Sequence, residues 1–200
     1  MTRKRPLGQI VVICGSMFAG KSEELIRRAR RALYAKRKVQ VFKPALDTRY
    51  HESMVVTHMG VQHAAHPVSS VRDLAAAIDP DTQTIFIEEA QFFDPSLVDL
   101  VERLADEGRE VVLAGLDQDF RRRPFGPMAT LLAVADEIVK LRAICVQCGA
   151  PASHTYRSID GRPAHVDDPV ILIGATEVYE ARCRNCYALL RRKRRDRNRT

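Results

Sequence analysis

The sequence predicts an α/β fold in which a mostly parallel β-sheet carries helices on both faces. Apolar runs typical of buried strands alternate with segments whose apolar residues recur at helical spacing, and this alternation favours a parallel sheet. A glycine-rich run joins the first strand to the first helix. The hydrophobic content of the 200 residues is 46%, which is enough for a sizeable core. We therefore expect one main domain with a small appendage.

The first strand, predicted at residues 10–14, leads directly into a phosphate-binding loop. This loop fits the pattern G-x-x-x-x-G-K-S and consists of Gly15, Ser16, Met17, Phe18, Ala19, Gly20, Lys21 and Ser22. In such a loop the glycines let backbone N–H groups face phosphate oxygens, the lysine reaches the outer phosphates, and the serine hydroxyl can bind Mg²⁺. A glycine-rich turn without a ligand is the alternative. The helical spacing of Leu25, Ile26 and Ala29 after the loop favours the phosphate site.

Further strands and helices are predicted along the chain. The strands lie at 39–44, 84–88, 110–116 and 137–140, where short runs are apolar and β-branched. The helices lie at 71–78, 96–107 and 128–135, and Pro95 and Gly108 mark the ends of the second of these. Residues 45–67 have no sustained period and predict a long loop.

Four of the six histidines fall in that loop, namely His51, His58, His63 and His66. Because their spacing fixes no ligand geometry, we interpret them as solvent-exposed side chains rather than as a metal site.

The net charge of +7 comes from the two ends of the chain. Residues 191–200 contain seven Lys or Arg and one Asp, and Arg3, Lys4 and Arg5 lie near the start, which leaves the rest at −2. We expect 191–200 to be a disordered tail, and we expect no nucleic-acid partner apart from one that this tail binds without sequence preference. Because the sequence has no apolar run of membrane-spanning length and no apolar signal segment, we expect no membrane association and a cytoplasmic location.

Two C-x-x-C pairs, Cys145 with Cys148 and Cys183 with Cys186, predict a structural zinc site. Disulfides are disfavoured in the cytosol, and four thiolates close the zinc shell and leave no position for a catalytic water. Two incidental pairs are the alternative. The metal would tie off the 34 residues 149–182, called here the cysteine-tied loop, which could then cover a ligand. The fifth cysteine, Cys14, is expected to be a buried small side chain.

Several charged and aromatic side chains follow the predicted strands, where ligands bind in parallel sheets. Glu88 and Glu89 leave the strand at 84–88 and could supply a magnesium ligand and a proton acceptor. Asp47 and Arg49 follow the second strand, and residues 120–126 combine aromatic and cationic groups. Each set has an ordinary alternative. Glu88 and Glu89 could be two solvated acids, Asp47 and Arg49 could belong to a turn, and residues 120–126 could form a solvated basic loop.

Taken together and in order, these motifs closely resemble the zinc-containing (type II) thymidine kinases over about residues 8–187. The segments that carry the resemblance are GSMFAGKSEELIRR, KPALDTRY, IEEAQFF, LDQDFRRRPFG and the two C-x-x-C pairs. The resemblance implies transfer of the γ-phosphoryl group of ATP to the 5′-hydroxyl of thymidine, and deoxyuridine as a further substrate. It also implies Mg²⁺ with the ATP, a homotetramer, and feedback inhibition by dTTP.

The resemblance further implies a role for individual residues. Glu89 would be the general base. The residues implied for ATP and Mg²⁺ are 15–22, Asp47, Arg49, Glu88 and Gln91. The residues implied for thymidine are Met17, Phe120, Phe125, Thr155, Leu172, Ile173, Gly174 and Tyr179. Glu88 stands where the family has Asp, and a water-mediated magnesium contact can absorb the additional methylene.

The domain organisation implied by the resemblance has three parts. A P-loop NTPase-like (RecA-like) domain would occupy 1–142, a zinc-bound lasso domain 143–190, and the basic tail 191–200. Two other functions remain open at this point. One is a nucleic-acid-associated ATPase with a zinc ribbon, which the charge of the chain body and the adjacent carboxylates disfavour. The other is a kinase of another nucleoside.

Overall fold

The computed structural model describes residues 8–45, 54–56, 62–159, 161–170 and 177–187. Its helices are α1 (Lys21–Tyr34), α2 (Val71–Ala77), α3 (Ser96–Asp106) and α4 (Met128–Val134), and a 3₁₀ turn lies at Ala90–Phe92. Its strands are β1 (Gln9–Cys14), β2 (Val39–Pro44), β3 (Met54–Val56), β4 (Gln62–Ala64), β5 (His66–Val68), β6 (Thr84–Ile87), β7 (Glu110–Gly115), β8 (Glu137–Lys140), β9 (Ala143–Ile144), β10 (Pro151–Ala152), β11 (His154–Ile159), β12 (Arg162–Pro163) and β13 (Glu177–Arg182).

Six strands form one sheet in the order β5-β2-β6-β7-β1-β8, and every pair in it is parallel. β7 separates β1, which leads into the phosphate loop, from β6, which leads into Glu88 and Glu89. The carboxyl ends of parallel strands meet at one edge, so these two groups of residues lie at the same edge of the sheet. The predicted α/β architecture with a mostly parallel sheet is confirmed.

The helices cover both faces of this sheet, as predicted. Successive side chains of a strand point to opposite faces. Val11 and Ile13 of β1 are fully buried in a cluster with Leu25 of α1. Val12 and Cys14 are fully buried in a second cluster, to which α2, α3 and α4 contribute. Among the described residues, none of the helices has the length and apolar character needed to cross a membrane.

The prediction of a long loop at 45–67 is wrong for three short segments. β3 and β4 form an antiparallel hairpin, and β5 extends the main sheet beyond β2. Each of these strands has only three residues, which is too short for a period of two to be detected in the sequence. His66 is exposed, as predicted, and its ring lies 5.5 Å from that of Phe42. The predictions for His51, His58 and the side chain of His63 lie outside the described residues.

Beyond the parallel sheet, the chain forms small antiparallel ladders. β9 pairs with β10, and β11 pairs with β12 on one side and with β13 on the other. The first C-x-x-C pair follows β9, and the second follows β13. A backbone hydrogen bond of 3.1 Å from the N–H of Val146 to the carbonyl of Ala181 joins the two regions. This arrangement brings together two cysteine pairs that are far apart in the chain.

Candidate active site

The phosphate loop lies between β1 and α1, at the carboxyl edge of the sheet. Gly15 has a φ of +148° and Gly20 a φ of +83°, which L side chains rarely adopt. A Cβ on Gly15 would lie 2.5 Å from the carbonyl oxygen of Leu141, so this position also has no room for a side chain. The glycines of the motif are therefore required by the backbone path of the loop itself.

The ammonium group of Lys21 lies against its own loop. Its Nζ donates a 2.9 Å hydrogen bond to the carbonyl of Ser16. Burial lowers the pKa of Lys21 below its usual value, while the negative charges of Glu89, Glu88 and Asp117 oppose this effect. A cation held in this way can exchange one carbonyl for phosphate oxygens without a large rearrangement.

Ser22 and Glu88 meet across the sheet edge. The Ser22 hydroxyl donates a short hydrogen bond to Oε1 of Glu88, whose residue is only 5% exposed. A serine hydroxyl and a carboxylate are oxygen donors of the kind that Mg²⁺ prefers, and magnesium bound beside a phosphate loop keeps several waters. The residues present therefore fit a Mg²⁺ site, in which Ser22 and Glu88 would hold the ion.

Glu89 adopts a left-handed backbone conformation, with φ +51° and ψ +43°, at the start of the 3₁₀ turn. Such a conformation in a non-glycine residue is strained and is common at functional sites. The amide of Gln91 donates a short hydrogen bond to Oε2 of Glu89, and its carbonyl oxygen accepts a 2.9 Å bond from the N–H of Leu116. Gln91, which is 2% exposed, thus fixes the carboxylate of Glu89 relative to the end of β7.

Residues 117–126, called here the 117–126 loop, follow β7 at the same edge. Oδ1 of Asp119 accepts hydrogen bonds from the backbone N–H groups of Arg121 and Arg123, which closes the loop into a tight turn. Phe120 is 4% exposed, and the guanidinium of Arg157 lies 3.7 Å from the centre of its ring. Phe125 packs edge-on against Phe92, with the ring centres 5.5 Å apart.

Strand β11, which belongs to the cysteine-tied loop, contacts the phosphate loop. Oγ1 of Thr155 accepts a 3.0 Å hydrogen bond from the backbone N–H of Met17. Thr155 and Arg157 lie two residues apart and so point to the same face of β11. That face therefore contacts the phosphate loop through Thr155 and Phe120 through Arg157. Tyr179 is half-buried and lies opposite Arg157 in the neighbouring strand β13.

The four cysteines converge into one cluster. Their sulfur atoms all lie within 4.8 Å of one another, and Sγ of Cys148 is 3.6 Å from Sγ of Cys183. Tetrahedral zinc with Zn–S bonds of about 2.3 Å requires sulfur atoms about 3.8 Å apart. Backbone hydrogen bonds lower the pKa of Cys145 to about 6, whereas hydrogen bonds with other thiols raise the pKa of Cys186 to about 12. The cluster can therefore hold a metal ion and fits the predicted structural zinc.

Two residues at the sheet edge were not predicted from the sequence. Asp117 follows β7, is 7% exposed and pairs with Lys140 over 2.8 Å. Its hydrogen bond raises the pKa of Lys140. Burial, followed by the charge of Asp117, raises the pKa of Cys14 to about 11, so Cys14 is a buried thiol, as expected. The position of Asp117 directly after a buried strand, like that of Glu88, is the signal that could have identified it.

The structure brings most of the predicted site residues to one edge of the sheet. Asp47, Arg49, Leu172, Ile173 and Gly174 lie outside the described residues, so the roles implied for them stay predictions. The phosphate loop, both glutamates, Gln91, Phe120 and Thr155 are joined by the contacts given above. What the sequence did not indicate is that Arg157, on a strand of the cysteine-tied loop, packs against Phe120.

A comparison with known protein families agrees with this geometry. The family model described as thymidine kinase matches residues 8–187, which include the phosphate loop, the two glutamates and all four cysteines. The match covers most of the 200 residues. The chain therefore belongs to the thymidine kinase family.

Proposed function

We propose that the protein transfers the γ-phosphoryl group of ATP to the 5′-hydroxyl of thymidine, giving dTMP for nucleotide salvage, and that it also accepts deoxyuridine. The observation that carries this proposal is the contact of Ser22 with Glu88, with Glu89 as the next residue and held by Gln91. It places a phosphate loop, a candidate magnesium carboxylate and a candidate proton acceptor side by side, which phosphoryl transfer requires.

In the proposed mechanism, the protein mainly positions the reactants and stabilises charge. The ammonium of Lys21 gives up its hydrogen bond to the carbonyl of Ser16 and binds the outer phosphates. The backbone N–H groups of the loop bind phosphate oxygens as well. Ser22 and Glu88 would hold Mg²⁺, which would neutralise part of the phosphate charge. Glu89 accepts the proton of the 5′-hydroxyl as the O5′–P bond forms and the bond from the γ-phosphorus to the bridging oxygen breaks, which releases ADP.

The substrate assignment is tested by ATP-dependent phosphorylation of thymidine, deoxyuridine, deoxycytidine, deoxyadenosine and deoxyguanosine. Turnover of thymidine and deoxyuridine is the expected result. Turnover of another nucleoside instead would assign the protein a different acceptor. The same assay without nucleoside, with single-stranded DNA added, tests the nucleic-acid-associated ATPase. ATP hydrolysis that is stimulated by DNA, without a phosphorylated nucleoside, would overturn the kinase proposal in favour of that activity.

Glu89→Gln is expected to lower kcat by roughly 10²–10⁴-fold, because the amide cannot accept the proton. Binding of a non-hydrolysable ATP analogue should change little, because the variant keeps the size of the side chain. The measurements are kcat for thymidine and calorimetric titration with the analogue. Glu102→Gln, an exposed glutamate on α3, is the matched control and should have wild-type kcat. Wild-type turnover by Glu89→Gln would remove Glu89 from the role of general base.

The proposal extends to assembly and regulation, for which the support is the family resemblance. We propose a homotetramer that is inhibited by dTTP. Light scattering coupled to size-exclusion chromatography measures the assembly, and a mass of one 22.5 kDa chain would contradict it. Titration of dTTP into the thymidine assay measures inhibition, with dCTP as the control nucleotide.

A further inference from the structure

Arg157 is the largest side chain among the fully buried residues that the structure describes, with 1% of the residue exposed. Burying a charged group has an effective penalty of several kcal/mol per ion, and a well-packed apolar side chain of similar volume often stabilises a fold as well or better. A cation at such a position, on a strand outside the main sheet, therefore calls for an explanation other than packing.

The contacts of Arg157 lie in two segments that are distant in the chain. Its guanidinium stacks on the ring of Phe120 at 3.7 Å, which is a close cation–π contact. Its Nη1 donates a 2.7 Å hydrogen bond to the carbonyl of Pro169 and a longer one, 3.4 Å, to that of Val170. Its Nη2 lies 4.0 Å from Oδ2 of Asp168. One planar group thus contacts both the 117–126 loop and residues 168–170.

A second arginine also joins these two segments. Nη2 of Arg121, in the 117–126 loop, donates a 2.6 Å hydrogen bond to the carbonyl of Asp168. Oδ2 of Asp168 in turn accepts a 2.6 Å bond from the N–H of His165, which closes a local turn. Residues 168–170 are therefore held next to Phe120 by hydrogen bonds from two arginines.

We infer that Arg157 is a positioning residue for the nucleoside base, because it fixes the ring of Phe120 and residues 168–170 relative to each other. The inference rests on the proposed function and on the family resemblance, which implies that Phe120 contacts thymidine. A guanidinium suits this task because it can stack on a ring with its face and donate to carbonyls with its edge at the same time, which an ammonium cannot do. Removal of Arg157 should weaken nucleoside binding much more than ATP binding, because its guanidinium stacks on Phe120 and donates to the carbonyls of residues 169 and 170.

The test compares Arg157→Met and Arg157→Lys with the wild type. Methionine keeps an apolar chain without the charge, and lysine keeps the charge without the planar group. We expect both variants to raise KM for thymidine roughly 10- to 100-fold, since small misplacements at a site have effects of this size. We expect KM for ATP and the zinc content to stay at wild-type values. Arg162→Met, at an exposed arginine of the neighbouring strand β12, is the matched control and should be unchanged.

A second measurement does not depend on activity. Hydrogen exchange at the backbone amides of Asp168 and Val170 should become faster in Arg157→Met than in Arg162→Met. Unchanged KM for thymidine in both Arg157 variants would overturn the inference. So would equal increases of KM for thymidine and ATP with loss of zinc, which would show a general structural role.

Failure of the proposed function has a different signature, because the nucleoside panel is run on the wild-type protein first. If another nucleoside is phosphorylated, its KM replaces that of thymidine in the comparison of variants. If no nucleoside is phosphorylated, the proposed function fails and the inference about the base fails with it, while the exchange data still report on the contact itself.

Discussion

Lys21 illustrates how one side chain can be held ready for a ligand. Its ammonium donates to Ser16, and its pKa is lowered chiefly by burial. The lowered pKa means that Lys21 of the unliganded protein loses its proton at a lower pH than an ordinary lysine does. The negative charge of a bound triphosphate favours the protonated form. Binding of ATP should therefore be linked to proton uptake by this group.

This linkage has a defined direction with pH. Proton uptake on ATP binding should be absent at a pH well below the lowered pKa of Lys21. It should rise towards about one proton per site as the pH approaches and exceeds this pKa, and the affinity for ATP should fall over the same range. Titration calorimetry in two buffers of different ionisation enthalpy, repeated over a series of rising pH values, measures the uptake. Lys21→Arg keeps a permanent charge and should lose the rise. Equal uptake by this variant would assign the proton to another group, such as the phosphates.

Individual residues differ in how far the sequence could predict their roles. Lys21, Ser22 and the four cysteines belong to short motifs whose chemistry is fixed by local spacing, so their positions were predictable. The burial of Arg157 was not predictable, because a lone arginine outside any motif is usually a solvated side chain. Its burial comes from Phe120 and from residues 168–170, which reach it only through the tertiary fold.

The turn at the end of the 117–126 loop depends on a glycine with no room for a side chain. Gly126 has a φ of +51°, and an added Cβ would lie 2.1 Å from the carbonyl oxygen of Gln91. Gly126→Ala should therefore lower the free energy of unfolding by roughly 3 kcal/mol or more, through backbone strain and overpacking. Denaturant titration gives the free energy of unfolding, and the resulting shift of Gln91 should also lower kcat through Glu89.

Gly161→Ala is the matched control for this change. Gly161 has a φ of +74°, but nothing lies within 4 Å of an added Cβ. Its substitution should have only the conformational penalty of about 1 kcal/mol. The difference between the two variants measures the steric contact with Gln91, and equal losses of stability would show that this contact relaxes without penalty.

Long elements were easier to predict than short ones. α1, α3, β1 and β7 have from 6 to 14 residues, so their periodicity is visible in the sequence. β3, β4 and β5 have three residues each and are held by pairing rather than by an apolar pattern. The strands β9 to β13 were not predicted, because the interpretation of that region concerned its cysteines and its implied ligand contacts rather than its secondary structure. β11, which joins the phosphate loop to Phe120, is the most important of these omissions.

The cysteine cluster and the candidate active site are connected through the antiparallel ladders. The first cysteine pair is tied to β13, β13 pairs with β11, and Arg157 of β11 contacts Phe120. Removal of the metal with a chelator should release the first link of this series. We expect the affinity for thymidine to fall about tenfold or more and the affinity for an ATP analogue to change much less. The parallel sheet and the helices that pack on it contain none of the four cysteines. Their structure should therefore not change when the metal is removed.

Calorimetric titration of both ligands, before and after chelation, measures this difference, and circular dichroism reports the helix content. Restoration of thymidine binding by added Zn²⁺ is the control. Equal loss of both affinities together with loss of helicity would identify the metal as a requirement for folding of the entire chain.

The central position of β1 has a further consequence for the way in which the chain is made. Gln9 of β1 pairs with Glu110 of β7, so this strand is synthesised about 100 residues before its first neighbour. At a synthesis rate of about 5 to 20 residues per second, it waits roughly 5 to 20 s without a partner. Unpaired apolar segments of high β-propensity are prone to aggregate. The strand that later positions the phosphate loop is therefore exposed to aggregation while translation continues.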